Sequence, residues 1–169
     1  SEYGAEVPFI RPSSLAKDES SEWLVWQHAI SFIEDEGFLF DGLISLPPTS
    51  PLRNVLDVEK CIDEFEKGGV DVVITTTDAH RNPYFNMVVS DKDGYCSLVN
   101  SGKNVHRRQD SPAIYDITTV AYVSKPSFVK KYNSLFEGQI KHVQIPSERA
   151  VDIDNQLDFD FAEFIYLNK

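Results

Sequence analysis

The chain has 169 residues, 41% of them hydrophobic, a formal net charge of -11 and two cysteines. That length and apolar content suit one ordinary globular domain rather than a disordered chain. The acidic balance of 16 basic against 27 acidic residues opposes binding to a phosphate backbone, which needs clustered Lys and Arg. No apolar run approaches the roughly 20 residues of a membrane span, and "SEYGAEVPFIRP" has neither the basic nor the apolar part of a secretory leader. The expectation is a soluble cytoplasmic protein, with neither nucleic acid nor membrane as partner. Cys61 and Cys96 are too few for a disulfide framework and form no CxxC pair.

In chain order, "AEVPFIRP" reads as a short strand closed by proline. "SSEWLVWQHAISFIEDEG" places Trp23, Trp26, Ala29, Ile30 and Ile33 at helical spacing, as a core stripe ending at Gly37. "DGLISL" reads as a buried strand. After the turn "PPTSPLRN", the segment "VLDVEKCIDEFEKGG" reads as a helix with Leu56, Cys61, Ile62 and Phe65 inward and a glycine stop. "DVVITTT" is a β-branched run of the kind that forms a parallel strand covered on both faces. From Asn82 to Asp116 the alternation breaks: "PYFNMVVSDKDGYCSLV" predicts a hairpin with Gly94 in its "DKDG" turn, and the polar loop "NSGKNVHRRQDSP" follows. This excursion serves either a partner or substrate, or is a surface insertion. "TTVAYVS" then predicts a strand, "SFVKKYNSL" a short helix, "KHVQIP" a strand and "LDFDFAEFIYL" a closing helix. Strands alternating with helices predict an α/β fold with a mostly parallel sheet, and residues 1–169 form a single domain.

Two segments carry candidate chemistry. In "AVDIDNQLDFDF", Asp152 and Asp154 are two apart with Val151 and Ile153 as their alternate neighbours. An extended backbone would aim both carboxylates to one side, as a site for a hard cation such as Mg2+ requires. Equally, Asp154 or Asn155 could cap the last helix with Asp158 in its first turn. In "HRRQD", His106, Arg107 and Arg108 form a basic loop that could bind carboxylate or phosphate bidentately, or simply pair with the abundant acids. The four histidines lack zinc spacing, and no GxSxG elbow is present.

Taken together, "EVPFIRPSSLAKDESS", "LPPTSPLR", "RRQDSPAIYDITTVAY" and "VDIDNQLD" resemble, in order and spacing, the "RP..LA.D", "QPTSPLR", "RQ..P..Y" and "IDID...D" blocks of the acylneuraminate cytidylyltransferase family, the CMP-sialic acid synthetases. The resemblance covers essentially the whole chain. It implies a Rossmann-like, three-layer nucleotide-diphospho-sugar transferase fold, with residues 82–116 as a β-hairpin excursion for dimerisation and substrate. It implies transfer of CMP from CTP to a 2-keto sugar acid, sialic acid or a related nonulosonic acid, in a homodimer using Mg2+. By the same resemblance Asp152 and Asp154 would hold the metal. Arg11, Pro48, Thr49 and Ser50 would line the nucleotide. Arg108 would act in catalysis on the sugar acid or a phosphate, with Gln109, Asp116 and Thr118 at the sugar.

Two departures qualify it. The family's phosphate loop, roughly "ARxGSKGxxxKN", and the following "STDD"-like strand are not among these residues, so a domain missing its N-terminal strands is expected. From this follows an expectation that the 169 residues alone release no pyrophosphate, or that they are a non-catalytic binding or oligomerisation remnant. In the sugar pocket, Pro47, Asp116 and Thr118 stand where the sialic-acid enzymes have glutamine, arginine and asparagine. A buried carboxylate without its cation costs several kcal/mol, so a nonulosonate other than N-acetylneuraminate is expected.

Overall fold

In the computed structural model, residues 2–17, 19–100 and 107–168 are described. Helix α1 (Glu22–Asp35) is followed by strand β1 (Leu43–Ser45), α2 (Val55–Glu66), β2 (Val72–Asp78), the hairpin β3 (Val88–Ser90) and β4 (Cys96–Leu98), β5 (Tyr115–Ser124), α3 (Pro126–Lys131), β6 (Ile140–Gln144) and α4 (Gln156–Leu167). The main sheet has the order β1-β5-β2-β6. Strands β1, β2 and β6 run in one direction and β5 runs against them, so β2 pairs with β6 in parallel and with β5 antiparallel. The ends of β1, β2 and β6 and the start of β5 therefore meet at one end of the sheet.

Strand periodicity builds a core on each face. On one side Val72, Ile74 and Tyr122 pack with Trp23, Trp26 and Ile30 of α1 and Phe128 and Val129 of α3. On the other, Val73, Ala121 and Val123 pack with Cys61 and, around them, Val58, Ile62 and Phe65 of α2. The two tryptophans are core residues, and α1 is fastened to α3 where Trp23 Nε1 donates to the Tyr132 carbonyl at 2.6 Å and Gln27 Nε2 to the Val129 carbonyl at 2.9 Å.

Some expectations need correction. Residues 5–12 form no strand. Pro8 and Pro12 have no N–H to give a ladder, and the segment is held by side chains, with Phe9 ring centroids 5.0 Å from His28 and 4.8 Å from Phe32. In α2, Leu56 is 61% exposed, and Val58 takes the inward place. The short helix after β5 stops at Lys131, and a separate 3-10 turn covers Leu135–Glu137. The hairpin forms as read: Gly94 has φ +89, and Asp91 Oδ1 accepts the Asp93 and Tyr95 amides at 2.9 Å each.

The β2–β5 ladder carries a bulge. Ile74 faces Tyr122 but Thr75 faces Thr118, so Thr119, Val120 and Ala121 are extra on β5. Thr75 seals the irregularity: its Oγ1 accepts the Ala121 amide at 3.1 Å and the Thr118 hydroxyl at 2.8 Å. Thr119 thus sits inside the bulge, beside the turn that follows β1.

Candidate functional site

The turn after β1 is closed by its own arginine, whose Nη2 donates to the Pro47 carbonyl. Burial pushes the Arg53 pKa down, and its Nε has no partner among the described residues. Ser50 is buried, and its hydroxyl lies 2.6 Å from that of Thr119 in the bulge. Asn54 then starts α2 with a reciprocal cap: Asn54 Oδ1 accepts the Asp57 amide at 3.0 Å, and Asp57 Oδ2 accepts the Asn54 amide at 3.1 Å.

The segment after β6 crosses the same end of the sheet. The Ile145 amide donates to the Thr76 carbonyl at 2.7 Å, and the Ile153 amide donates to the Thr49 carbonyl at 2.9 Å. Between these points Arg149 forks onto Asp57, Nε to Oδ2 and Nη2 to Oδ1, both at 2.9 Å. Asp57 is completely buried. Burial alone would raise its pKa, but the Arg149 fork and the Asn54 amide outweigh it and hold it below the ordinary carboxylate value. Asp57 in turn raises the Arg149 pKa.

Of the alternatives for the acidic segment, the helix cap is present as read, with Asn155 at the cap and Asp158 in the first turn. Asn155 is the cap of α4: its Oδ1 accepts the Leu157 and Asp158 amides at 2.9 and 3.2 Å, and Asp158 Oδ2 accepts those of Asp154 and Asn155 at 3.0 and 3.1 Å. The cap makes no use of the Asp152 and Asp154 carboxylates. Asp154 is exposed, whereas Asp152 Oδ1 is buried and finds no hydrogen-bond partner among the described residues. A buried carboxylate oxygen without a donor suits a cation. No cluster of three or more His, Cys, Asp or Glu able to hold a metal occurs among the described residues, so a hard cation here would need oxygen ligands beyond Asp152 and Asp154.

A cleft of about 470 Å³ opens beside the turn, lined by Arg11, Lys17, Glu22, Ser45, Pro47 and Pro48 among others. Arg11 and Pro48 are therefore brought together, while Ser50 faces the sheet and Thr49 offers its carbonyl to Ile153. Glu22 Oε1 accepts from Trp26 Nε1 at 3.2 Å and Ser45 Oγ at 3.3 Å. Tyr122 lies beneath: burial first, then the charges of Glu22 and Asp152, push its pKa up, so both carboxylates act on one phenol.

Of the residues expected at the sugar, Gln109, Asp116 and Thr118 do not line that cleft. Asp116 is exposed at the start of β5 and its Oδ2 accepts the His80 amide at 3.3 Å. Thr118 is only 4% exposed, its hydroxyl given to Thr75. Gln109 is exposed in the 3-10 turn Arg108–Asp110. Arg107 pairs with Asp110 at 2.9 and 3.0 Å, as the basic-loop alternative anticipates for that residue. The Arg108 side chain and His106 lie outside the described residues. A second cavity, about 320 Å³, is lined by Asp78, Arg81, Asn82 and Ser111. Missed in the sequence were Arg149, Glu22 and Thr119; of the Asp57 arrangement only the "NVLD" cap spacing was there to read.

This is the fold of a nucleotidyltransferase, shared with the CMP:2-keto-3-deoxy-manno-octonic acid synthetase solved with CTP: TM-score 0.55 at 13% identity, over 89% of this chain and 70% of that one. No family model matches the chain. It is 34% identical over 170 residues to post-translational flagellin modification protein B of Campylobacter coli, spanning 99% of this chain and 71% of that protein. It is 33% identical over 171 residues to the CMP-N,N'-diacetyllegionaminic acid synthase of Campylobacter jejuni, spanning 96% and 69%. More distant are the pseudaminic acid cytidylyltransferase of the same species, 25% identical over 97% and 70%, and the N-acylneuraminate cytidylyltransferase of Streptococcus agalactiae, 24% identical over 94% and 37%. The chain belongs to the CMP-nonulosonate cytidylyltransferase family, whose members transfer CMP from CTP to sugar acids.

Breaking the Asp57–Arg149 pair from one side leaves a buried charge, so Arg149→Met should cost about 3–5 kcal/mol at neutral pH. The sign of the pH dependence follows from the lowered Asp57 pKa. The pair's contribution is complete above the ordinary carboxylate pKa of about 3.9 and is lost as pH falls through the lower folded value. In the variant an unpaired Asp57 favours protonation, so the stability gap should narrow as pH falls from about 7 to about 3. Urea unfolding across that range measures it; a gap independent of pH would contradict this assignment.

Proposed function

We propose that the protein carrying this chain transfers CMP from CTP to a nonulosonic acid, the anomeric hydroxyl forming the new bond to the α-phosphorus as the bond to pyrophosphate breaks. The hydroxyl proton passes to solvent. The single observation that carries the site is the strapping of the Asp152 segment onto the "PPTSPLR" turn: Ile153 is fixed to Thr49 and Asp152 has an unsatisfied buried carboxylate oxygen, while Pro47 and Pro48 of the same turn line the cleft that contains Arg11 and Lys17. In this reading Pro47 and Pro48 shape the nucleotide cleft, and Arg11 and Lys17 attract its phosphates. Asp152 and Asp154 hold Mg2+, which when bound neutralises charge developing on the leaving pyrophosphate. Catalysis is then positioning and electrostatics, with no covalent intermediate.

The preference for a bacterial nonulosonate of the legionaminic type is supported by 33% identity to the relative named for that sugar, against 25% and 24% for those named for pseudaminic and acylneuraminic acids. It is also supported by Asp116 at a position where the sialic-acid motif has arginine. Arg81, which lines the second cavity, is a cation available to a substrate carboxylate. The reading places the reaction in the cytoplasm, where CTP is held; among the described residues no helix is long and apolar enough to cross a membrane.

Pyrophosphate release from CTP should therefore depend on a sugar acid, with kcat/KM highest for the legionaminic type. Asp152→Asn and Asp154→Asn should each lower turnover by at least about 100-fold while the melting temperature changes little, since a neutral amide is a poor ligand for a hard cation. A full-length protein that binds CTP but releases no pyrophosphate with any nonulosonate would favour the non-catalytic module.

The homodimer belongs to the same proposal. Hairpin β3–β4 exposes Val88 (60%), Val89 (52%) and Tyr95 (76%), an apolar surface of the kind that marks an interface. Sedimentation at micromolar concentration should give a dimer, and Val88→Asp with Tyr95→Asp a monomer. A wild-type monomer would contradict it.

A further inference from the structure

The buried ion pair between α2 and the segment after β6 does more than the proposed chemistry has so far used. Arg149 closes a 3-10 turn, Ser147–Arg149, three residues ahead of Asp152. Its guanidinium holds both oxygens of Asp57, and Asp57 is the third residue of α2, locked to Asn54 by the reciprocal cap. A bidentate fork fixes direction as well as distance, which a lysine in the same place could not do. One residue beyond Asp152, the Ile153 amide is fixed to Thr49 at 2.9 Å, and the Ile153 side chain shares a cavity with Pro51 and Leu52. Asp152 is thus pinned on both sides. Both anchors, Asp57 and Thr49, belong to the one continuous stretch that forms the proposed nucleotide turn and the start of α2.

The pair does not itself face the proposed nucleotide cleft. Asp57 does not line the cleft of about 470 Å³, and Arg149 does not either. Two buried or half-buried charges gain little net stability over an apolar pair of the same volume, whereas their geometry gains orientation. Leaving Asp152 with an unpartnered buried oxygen is costly unless that oxygen is held where something else can reach it.

We infer that Asp57 and Arg149 are positioning residues, which set the Asp152 carboxylate in register with the nucleotide turn so that one cation can touch both the carboxylate and the phosphates. This rests on the reading of Asp152 as a metal ligand. Outer-shell groups of this kind typically govern metal affinity by about 10–100-fold.

The test is Mn2+, standing in for Mg2+, titrated with CTP into the full-length protein and followed by electron paramagnetic resonance, with melting temperature recorded in parallel. Arg149→Lys keeps the charge and loses the fork, and should weaken Mn2+ binding about 10–100-fold. The double replacement Asp57→Asn with Arg149→Gln leaves no lone buried charge and secures the test should Arg149→Lys fold poorly; it should weaken binding to a similar degree. Asp152→Asn is the control. If Asp152→Asn abolishes binding but both positioning variants keep wild-type affinity while losing only melting temperature, the pair is purely structural and the inference is overturned. If Asp152→Asn leaves affinity unchanged, the metal reading fails first, and the inference with it.

Discussion

The turn after β1 has few backbone donors with which to hold itself, because Pro47, Pro48 and Pro51 have no amide hydrogen to give. Its shape comes from its own arginine and from groups that arrive from elsewhere. The Arg53 guanidinium closes it on the Pro47 carbonyl, Thr119 meets the Ser50 hydroxyl from the bulge in β5, and Ile153 reaches the Thr49 carbonyl from the segment after β6. A proline-rich turn held in this way presents carbonyls and rings in a fixed arrangement without the entropy of a flexible loop. It also makes the turn a meeting of three distant parts of the chain, so the contacts that shape it bring the acidic segment to it.

The sheet irregularity serves the same end. A regular β2–β5 ladder would leave no extra residues at Thr119–Ala121, and the hydroxyl that meets Ser50 comes from that surplus. The cost of interrupting the ladder is offset locally by Thr75, whose hydroxyl accepts the Ala121 amide and lies within hydrogen-bond reach of the Thr118 and Ala121 carbonyls, with the Thr118 hydroxyl donating to it in turn. Thr118 therefore works within the sheet. The electrostatics are similarly divided: a chain of net charge -11 binds an anionic nucleotide only if cations are concentrated where it docks. In the proposed reading Arg11 and Lys17, which line the cleft together with Glu22, are those cations, while the charge of the buried Asp57 is neutralised by Arg149.

Much of the architecture was legible because it is written in local patterns. The tryptophan stripe of α1, the β-branched run of β2, the "DKDG" hairpin and the α4 helix each follow from spacing and turn chemistry alone. What misled was local as well: "AEVPFIRP" has strand-like residues, but a strand needs a partner and amides, and its prolines withhold them. Of the site, the Asp152–Asp154 pair and the turn stood out as motifs, and the cap read as one alternative for that segment is made by Asn155 and Asp158, leaving the Asp152 and Asp154 carboxylates outside it. Arg149 carried no signal, since its partner is 92 residues away and nothing local marks a buried fork. The role of Thr119 depends on a register shift that propensity does not encode.

The central claim is that the turn and the acidic segment together form one site for a metal-bound nucleotide. The most direct measurement is a crystal structure of the full-length protein grown with CTP and Mn2+, with the anomalous signal of manganese used to locate the cation. The account predicts a manganese peak in direct contact with the Asp152 carboxylate and with nucleotide phosphate, and the nucleotide lying in the cleft beside Pro48 and Arg11. A peak remote from Asp152, or CTP bound away from the turn, would contradict it.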